Sequence, residues 1–236
     1  MSRWRYHLPI LGYHRVGPFR PDHVPTVSAE AFARQLRWLT RWGYQVVSLD
    51  EVVARLERRQ PLPRRRTVIT FDDGYEETCS IAWPLLKRFG MTATVFVTPN
   101  EVGLPGFATW DQLQALARGG ITIGSHTLHH CYLPLVEAHR LPDEIAGSKR
   151  VLEDRLQQPV QYLSYPVGGF NPRVQALVQE AGYRAACTTN RAEPRNGLDR
   201  FALRRIKVNE QDANPVRLLA KLSGYYDLFR RVNAPA

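Results

Sequence analysis

A chain of 236 residues, 44% hydrophobic and 23% charged, has the composition of a soluble globular protein that can fold without disulfides or a structural metal. These values exclude intrinsic disorder, a collagen-like repeat and a disulfide scaffold, and no apolar run approaches the roughly 20 residues that span a bilayer. The formal charge of +10 would suit a polyanionic partner, yet Lys87, Lys149, Lys207 and Lys221 are the only lysines and the arginines are scattered, so no nucleic-acid partner is expected.

The densest basic cluster, Arg58-Arg59 and Arg64-Arg65-Arg66, lies in a connector broken by prolines. The stretch from Met1 to Gly17 has neither a continuous apolar segment nor a small-residue cleavage site, so the chain as it stands is expected to be cytoplasmic. Peripheral contact with an anionic membrane stays open. Cys79, Cys131 and Cys187 are widely spaced and form no CxxC pair, which leaves them as free thiols.

Short apolar runs alternate with amphipathic stretches along the chain. Strands are expected at Pro9–Tyr13, Tyr44–Ser48, Thr67–Phe71, Thr92–Thr98, Ile121–Gly124, Val160–Tyr165, Tyr183–Thr188 and Leu203–Val208. Several are apolar on successive residues, the pattern of strands covered on both faces. Helices lie between them. In the first, Phe32, Leu36 and Leu39 share an apolar face while Arg34, Arg37 and Arg41 take others. Ser48-x-x-Glu51 and Thr109-x-x-Gln112 fit capping boxes, and Gly43, Gly90 and Gly182 fit left-handed C-terminal positions. Seven or eight β-then-α units without a Gly/Ser linker indicate a single α/β domain, a (β/α) barrel or else an open doubly wound sheet. A last helix near 215–232 is expected to pack through Val216, Leu219, Leu222, Tyr226 and Phe229.

Chemistry collects where strands end. Thr67-Val-Ile-Thr-Phe-Asp72-Asp73-Gly74 runs a buried strand into two carboxylates, and a bend at Gly74 would let both serve one cavity. Paired acids can divide labour, one binding a metal and the other acting as a base. After the strand at 121–124 come His126, His129 and His130. His126 and His130 are four apart, and with one carboxylate they make the three-ligand set of a catalytic metal site; His129 is expected to be solvent-facing or structural. A third strand end, Tyr162 to Phe170, carries Tyr165-Pro166-Val167-Gly168-Gly169, a turn whose backbone N–H could face a developing oxyanion.

In this order the three segments resemble the polysaccharide deacetylases with NodB homology, carbohydrate esterase family 4, over nearly the whole chain. The opening Leu8-Pro-Ile-Leu-Gly-Tyr-His14 and the stretch from Val27 to Val52 look like the subgroup of poly-N-acetylglucosamine deacetylases. The resemblance implies a deformed (β/α)7-8 barrel and metal-dependent removal of N-acetyl groups from amino sugars, on a polysaccharide or its precursor. It implies one divalent ion, zinc by preference, held by Asp73, His126 and His130. It makes Asp72 the general base, lets Thr127 brace the loop and gives the oxyanion site to the Val167 N–H.

Ser164 stands where many members carry the third-motif arginine that orients the base, and Arg205 is its candidate substitute. The family's Asp-x-x-Asp-Trp motif is not found, and no histidine follows His139. His14, at the end of the first strand, is therefore the candidate general acid, as the subgroup's N-terminal Tyr-His motif suggests. A carbohydrate-binding barrel without activity and a deacylase of a lipid-linked or other N-acyl sugar remain as alternatives.

Overall fold

Each of the eight apolar runs contains a strand, because side chains on both faces of a buried parallel strand need apolar neighbours. The computed structural model describes residues 8–22, 24–190 and 199–223. Within them the strands are β1 (Ile10–Tyr13), β2 (Arg15–Val16), β3 (Thr26–Val27), β4 (Gln45–Val46), β5 (Arg66–Phe71), β6 (Thr94–Val97), β7 (Thr122–Ser125), β8 (Tyr162–Ser164), β9 (Ala185–Thr188) and β10 (Leu203–Lys207). The helices are α1 (Ala29–Arg41), α2 (Leu49–Glu57), α3 (Trp83–Arg88), α4 (Trp110–Arg118), α5 (Ser148–Leu156), α6 (Pro172–Glu180) and α7 (Pro215–Leu222).

The sheet runs β1-β10-β9-β8-β7-β6-β5 and then closes, since β1 also pairs with β5 in parallel from Ile10↔Val68 to Tyr13↔Phe71. The ring therefore has seven strands, and β4 joins it only at Arg66 and Thr67 of β5. The small β2–β3 pair, which the sequence reading does not anticipate, lies outside the ring.

Alternation along each strand sorts the residues into two cores. Leu11, Ile69, Val95, Ile123, Leu163, Ala186 and Ile206 pack outward in one apolar cluster with residues of the helices. Ile10, Val68, Phe96, Tyr162, Cys187 and Leu203 belong to a second cluster inside the barrel, closed from below by Leu49, Val52 and Val53 of α2. Gly124 makes room for this filling, because a Cβ there would stand 2.6 Å from the Phe96 ring and 3.0 Å from the Tyr162 carbonyl.

Helix signals mostly read true. Thr109 and Gln112 form a reciprocal capping box. Ser48 accepts from the Glu51 N–H without the reciprocal bond being formed. Gly43, Gly90 and Gly182 all take positive φ. The expected packing face of the last helix needs correction. Val216 and Leu219 are exposed, while Leu222 is buried as expected and is joined by Leu218 and Lys221. An ion pair sets that rotation: Lys221 Nζ lies 2.6 Å from the buried Asp212 carboxylate and 2.8 Å from the Lys207 carbonyl. Tyr226 and Phe229 lie outside the described residues.

Candidate active site

The inward parity of the barrel carries past the apolar filling to a polar layer at the C-terminal ends of the strands. Thr70 and Asp72 continue the Val68 side of β5, Ser164 continues the Tyr162 side of β8, and Arg205 continues the Leu203 side of β10. These four side chains meet. Arg205 Nη1 donates to Asp72 Oδ1 at 2.7 Å and Nη2 to Oδ2 at 2.6 Å. Nη2 also donates to Ser164 Oγ at 2.8 Å, and Nη1 to Thr70 Oγ1 at 3.2 Å. Ser164 thus occupies the third-motif position as an acceptor for an arginine that comes from another strand. Burial pushes the Asp72 carboxyl up, but the Arg205 guanidinium, together with His126 and His14, more than offsets it and holds Asp72 well below the usual carboxylate range.

Asp73 leaves that parity because the chain turns there. Its φ is 71° and that of Gly74 is 79°, so the bend starts one residue before the glycine expected to make it. A Cβ on Gly74 would approach Val97 Cγ2 to 3.3 Å, so this position needs a glycine for space as well as for conformation.

Turned this way, Asp73 Oδ1 lies 3.4 Å from His126 Nε2 and 3.3 Å from His130 Nε2. His126 is buried behind β7, and its Nδ1 is 2.7 Å from the Ser164 carbonyl. A carbonyl can only accept, so that contact assigns the proton to Nδ1 and leaves the Nε2 lone pair facing Asp73. Burial also lowers the His126 pKa, which favours the neutral, ligating imidazole.

A divalent metal ion fits this triplet. The ligand atoms of Asp73, His126 and His130 lie within 4.8 Å of one another. Asp73 Oδ1 is buried without a hydrogen-bond partner, an expensive state for a carboxylate oxygen unless a cation neutralises it. Two imidazoles and a carboxylate are a donor set suited to catalytic zinc.

The structure brings the remaining sequence candidates to the same end of the barrel. His14 follows β1, and its Nε2 is 4.0 Å from Asp72 Oδ2. Val167 sits in the turn after β8 at φ 56° and ψ 2°, a conformation unusual for a β-branched residue, with its side chain 68% exposed. Thr188 Oγ1 holds that turn by donating to the Gly168 carbonyl at 2.7 Å. Thr127 is buried on the ligand loop at φ 66°. His129 turns away from the triplet and pairs with Glu144 at 2.7 Å. His7 and His23 lie outside the described residues.

Sequence reading missed the use of Thr70 and of the Ser164 carbonyl. Strand parity, counted from Val68 and Tyr162, would have pointed both residues inward.

A seven-stranded α/β barrel with an ionised carboxylate beside an Asp–His–His triplet that can hold a metal has the make-up of a hydrolase site. The polysaccharide deacetylase family model matches residues 59–186. YxkH of Bacillus subtilis (strain 168) is 32% identical over 202 residues, covering 86% of this chain and 71% of that one. The poly-beta-1,6-N-acetyl-D-glucosamine N-deacetylase of Escherichia coli (strain K12) is 30% identical over 139 residues, 52% of this chain and 21% of that protein. Among solved structures, the Streptococcus pyogenes deacetylase PplD in complex with acetate superposes with a TM-score of 0.81 at 26% identity, covering 91% of this chain and 97% of that one. The chain belongs to the polysaccharide deacetylase family. The reaction class of that family is the removal of acetyl groups from polysaccharides. No helix among the described residues is long and apolar enough to cross a membrane.

Proposed function

We propose that this chain is a single-domain deacetylase of N-acetylglucosamine oligomers or polymers, with Asp72 as general base, His14 as general acid, and Asp73, His126 and His130 as ligands of one zinc ion. The observation that carries the reading is the position of Asp72. Both of its oxygens accept from Arg205, at 2.6 Å and 2.7 Å, and its Oδ2 also lies 4.0 Å from His14 Nε2.

An N-acetyl group is a stable amide, so its hydrolysis needs a strong nucleophile, a place for the oxyanion and a proton for the departing amine. Arg205 keeps Asp72 ionised and aimed, but a carboxylate held so low is a weak base. Zinc bound by the triplet would compensate by polarising the acetyl carbonyl and acidifying the attacking water. Asp72 accepts the proton of that water as its oxygen attacks the carbonyl carbon. The Val167 N–H, in a turn fixed by Thr188, supports the charge that develops on the carbonyl oxygen. When the C–N bond breaks, His14 gives its proton to the amine, and acetate and the free amino sugar leave.

The likeness to an enzyme named for poly-beta-1,6-N-acetyl-D-glucosamine favours that class of glycan as substrate. Acetate release from β-1,6-linked and β-1,4-linked N-acetylglucosamine oligomers, measured side by side, tests the choice. Preference for the β-1,6 series supports it; turnover of the β-1,4 series alone assigns a different polymer. Acetate from neither, with metal bound, favours a barrel that only binds carbohydrate.

A further inference from the structure

The loop that carries His126 and His130 does not hold its shape through local preference. Thr127 and His130 both have positive φ, 66° and 55°, where an L-residue with a side chain is disfavoured by roughly 1–2 kcal/mol. Something outside the loop must therefore over-determine its conformation.

One buried side chain does so from 14 positions beyond the last ligand. The Glu144 carboxylate is 2% exposed. Its Oε2 accepts the His129 backbone N–H at 3.0 Å, and its Oε1 is 2.7 Å from His129 Nδ1. The Cys131 thiol lies 3.7 Å from Oε1, and the Glu144 backbone carbonyl accepts the Leu128 N–H at 3.1 Å. Residues 128, 129 and 131, which surround His130, are thereby tied to a single residue. The two ligand histidines are consequently held by different means. His126 is fixed through its ring by the Ser164 carbonyl. For His130, whose side chain is 36% exposed, the fixing bonds run through the backbone of its neighbours to Glu144.

The anchor itself is rigid. Glu144 lies in Asp143–Gly147, a wide helical turn with i→i+5 bonds, a form that recurs at functional sites. Tyr183 Oη donates to the Ile145 carbonyl at 3.0 Å, and Ser148 Oγ does so at 2.9 Å. Ser148 Oγ also meets Ser125 Oγ at 2.7 Å, and Ser125 Oγ accepts the Thr127 N–H at 3.2 Å. The wide turn and both ends of the ligand loop therefore form one bonded unit.

The geometry points to Glu144 as a positioning residue for the metal: it sets the backbone that presents His130 Nε2 to the ion. This inference rests on the triplet being a metal site. A glutamine at position 144 keeps the volume but loses the charge, and its one carbonyl oxygen cannot accept both the His129 backbone N–H and the ring Nδ1–H. The ring contact then survives only if the imidazole changes tautomer and accepts from the amide.

The test uses the full chain with zinc, and with cobalt as a spectroscopic stand-in. The zinc dissociation constant is measured by chelator competition, the cobalt d–d spectrum reports ligand geometry, and circular dichroism of the metal-free protein reports folding. Glu144→Gln is expected to weaken zinc binding by about 10–100-fold and to alter the cobalt spectrum while the metal-free fold is retained. His129→Ala removes only a half-exposed ring and its single bond to Oε1, so it is expected to shift both readouts the same way by less. Wild-type zinc affinity and cobalt spectra in the folded variants would overturn the inference. So would a loss of metal-free stability with both metal readouts unchanged. If Glu144→Gln fails to fold, His129→Ala decides on the same criteria. If wild-type protein binds no zinc, the reading of the triplet fails, which is distinguishable because it does not depend on either variant.

Discussion

Arg205 and Asp72 meet through two parallel hydrogen bonds of 2.7 Å and 2.6 Å, although they lie on β10 and at the end of β5. The arginine is essentially buried, and Ser164 and Thr70 share its guanidinium. A planar fork of this kind fixes both the direction and the ionisation of a carboxylate, which lysine could not do.

Replacing it should therefore change the pH profile as well as the rate. In Arg205→Met, the chief opposition to burial is lost, so the Asp72 pKa rises from its depressed position. A base is active when deprotonated, and the acid limb of kcat/KM is expected to move to higher pH. Leaving Asp72 buried without its partner should also cost about 3–5 kcal/mol of stability. A pH–rate profile with an unmoved acid limb would remove Arg205 from the function of the base.

Asp72→Asn isolates proton transfer. A carboxamide keeps the shape but cannot take the proton of the attacking water. Turnover is expected to fall by about 10²–10⁴-fold with metal content unchanged. Elemental analysis and steady-state kinetics on the same preparation check both halves, and wild-type-like turnover would withdraw the assignment.

His14→Ala should discriminate between leaving groups. An amine departs poorly unless protonated, whereas an activated phenol does not need the proton. The variant is expected to lose turnover on N-acetylglucosamine oligomers far more than on an activated acetyl ester. Equal losses on the two substrates would make His14 structural, a histidine closing the end of β1.

The barrel filling also offers a stability test. Gly124→Ala would place a Cβ 2.6 Å from Phe96 and 3.0 Å from the Tyr162 carbonyl, one a packed ring and the other backbone. Over-packing of this kind costs roughly 1–3 kcal/mol. A domain of this size then loses about 2–4 °C of Tm per kcal/mol, which thermal unfolding monitored by circular dichroism can resolve.

Much of this was legible in the sequence for a physical reason. Strands buried on both faces are largely apolar, so β1, β5, β6 and β9 stand out as runs, whereas β10 is a strand despite its three basic residues. His14, Asp72 and His126 are each the first residue after a strand. Arg205 was legible only through the resemblance of Leu203-Arg-Arg-Ile to a segment of the deacetylase subgroup. What stayed hidden depends on pairings between distant segments. The face that α7 buries is set by Lys221 meeting Asp212, and hydrophobic spacing favoured Val216 and Leu219 instead. The turn at Asp73 has a positive φ ahead of a glycine that was expected to absorb the bend alone. The hold of Glu144 on the ligand loop joins residues 15 positions apart and leaves no local pattern.

The central claim is that the triplet holds the metal on which deacetylation depends. Its most direct test measures acetate release from N-acetylglucosamine oligomers by protein stripped with a chelator and then titrated with zinc, alongside Asp73→Ala treated the same way. Activity should vanish on stripping, return in proportion to zinc up to one ion per chain, and fail to return in Asp73→Ala, which should not retain the ion. Acetate release that persists in the stripped protein, or full recovery in Asp73→Ala, would contradict the account.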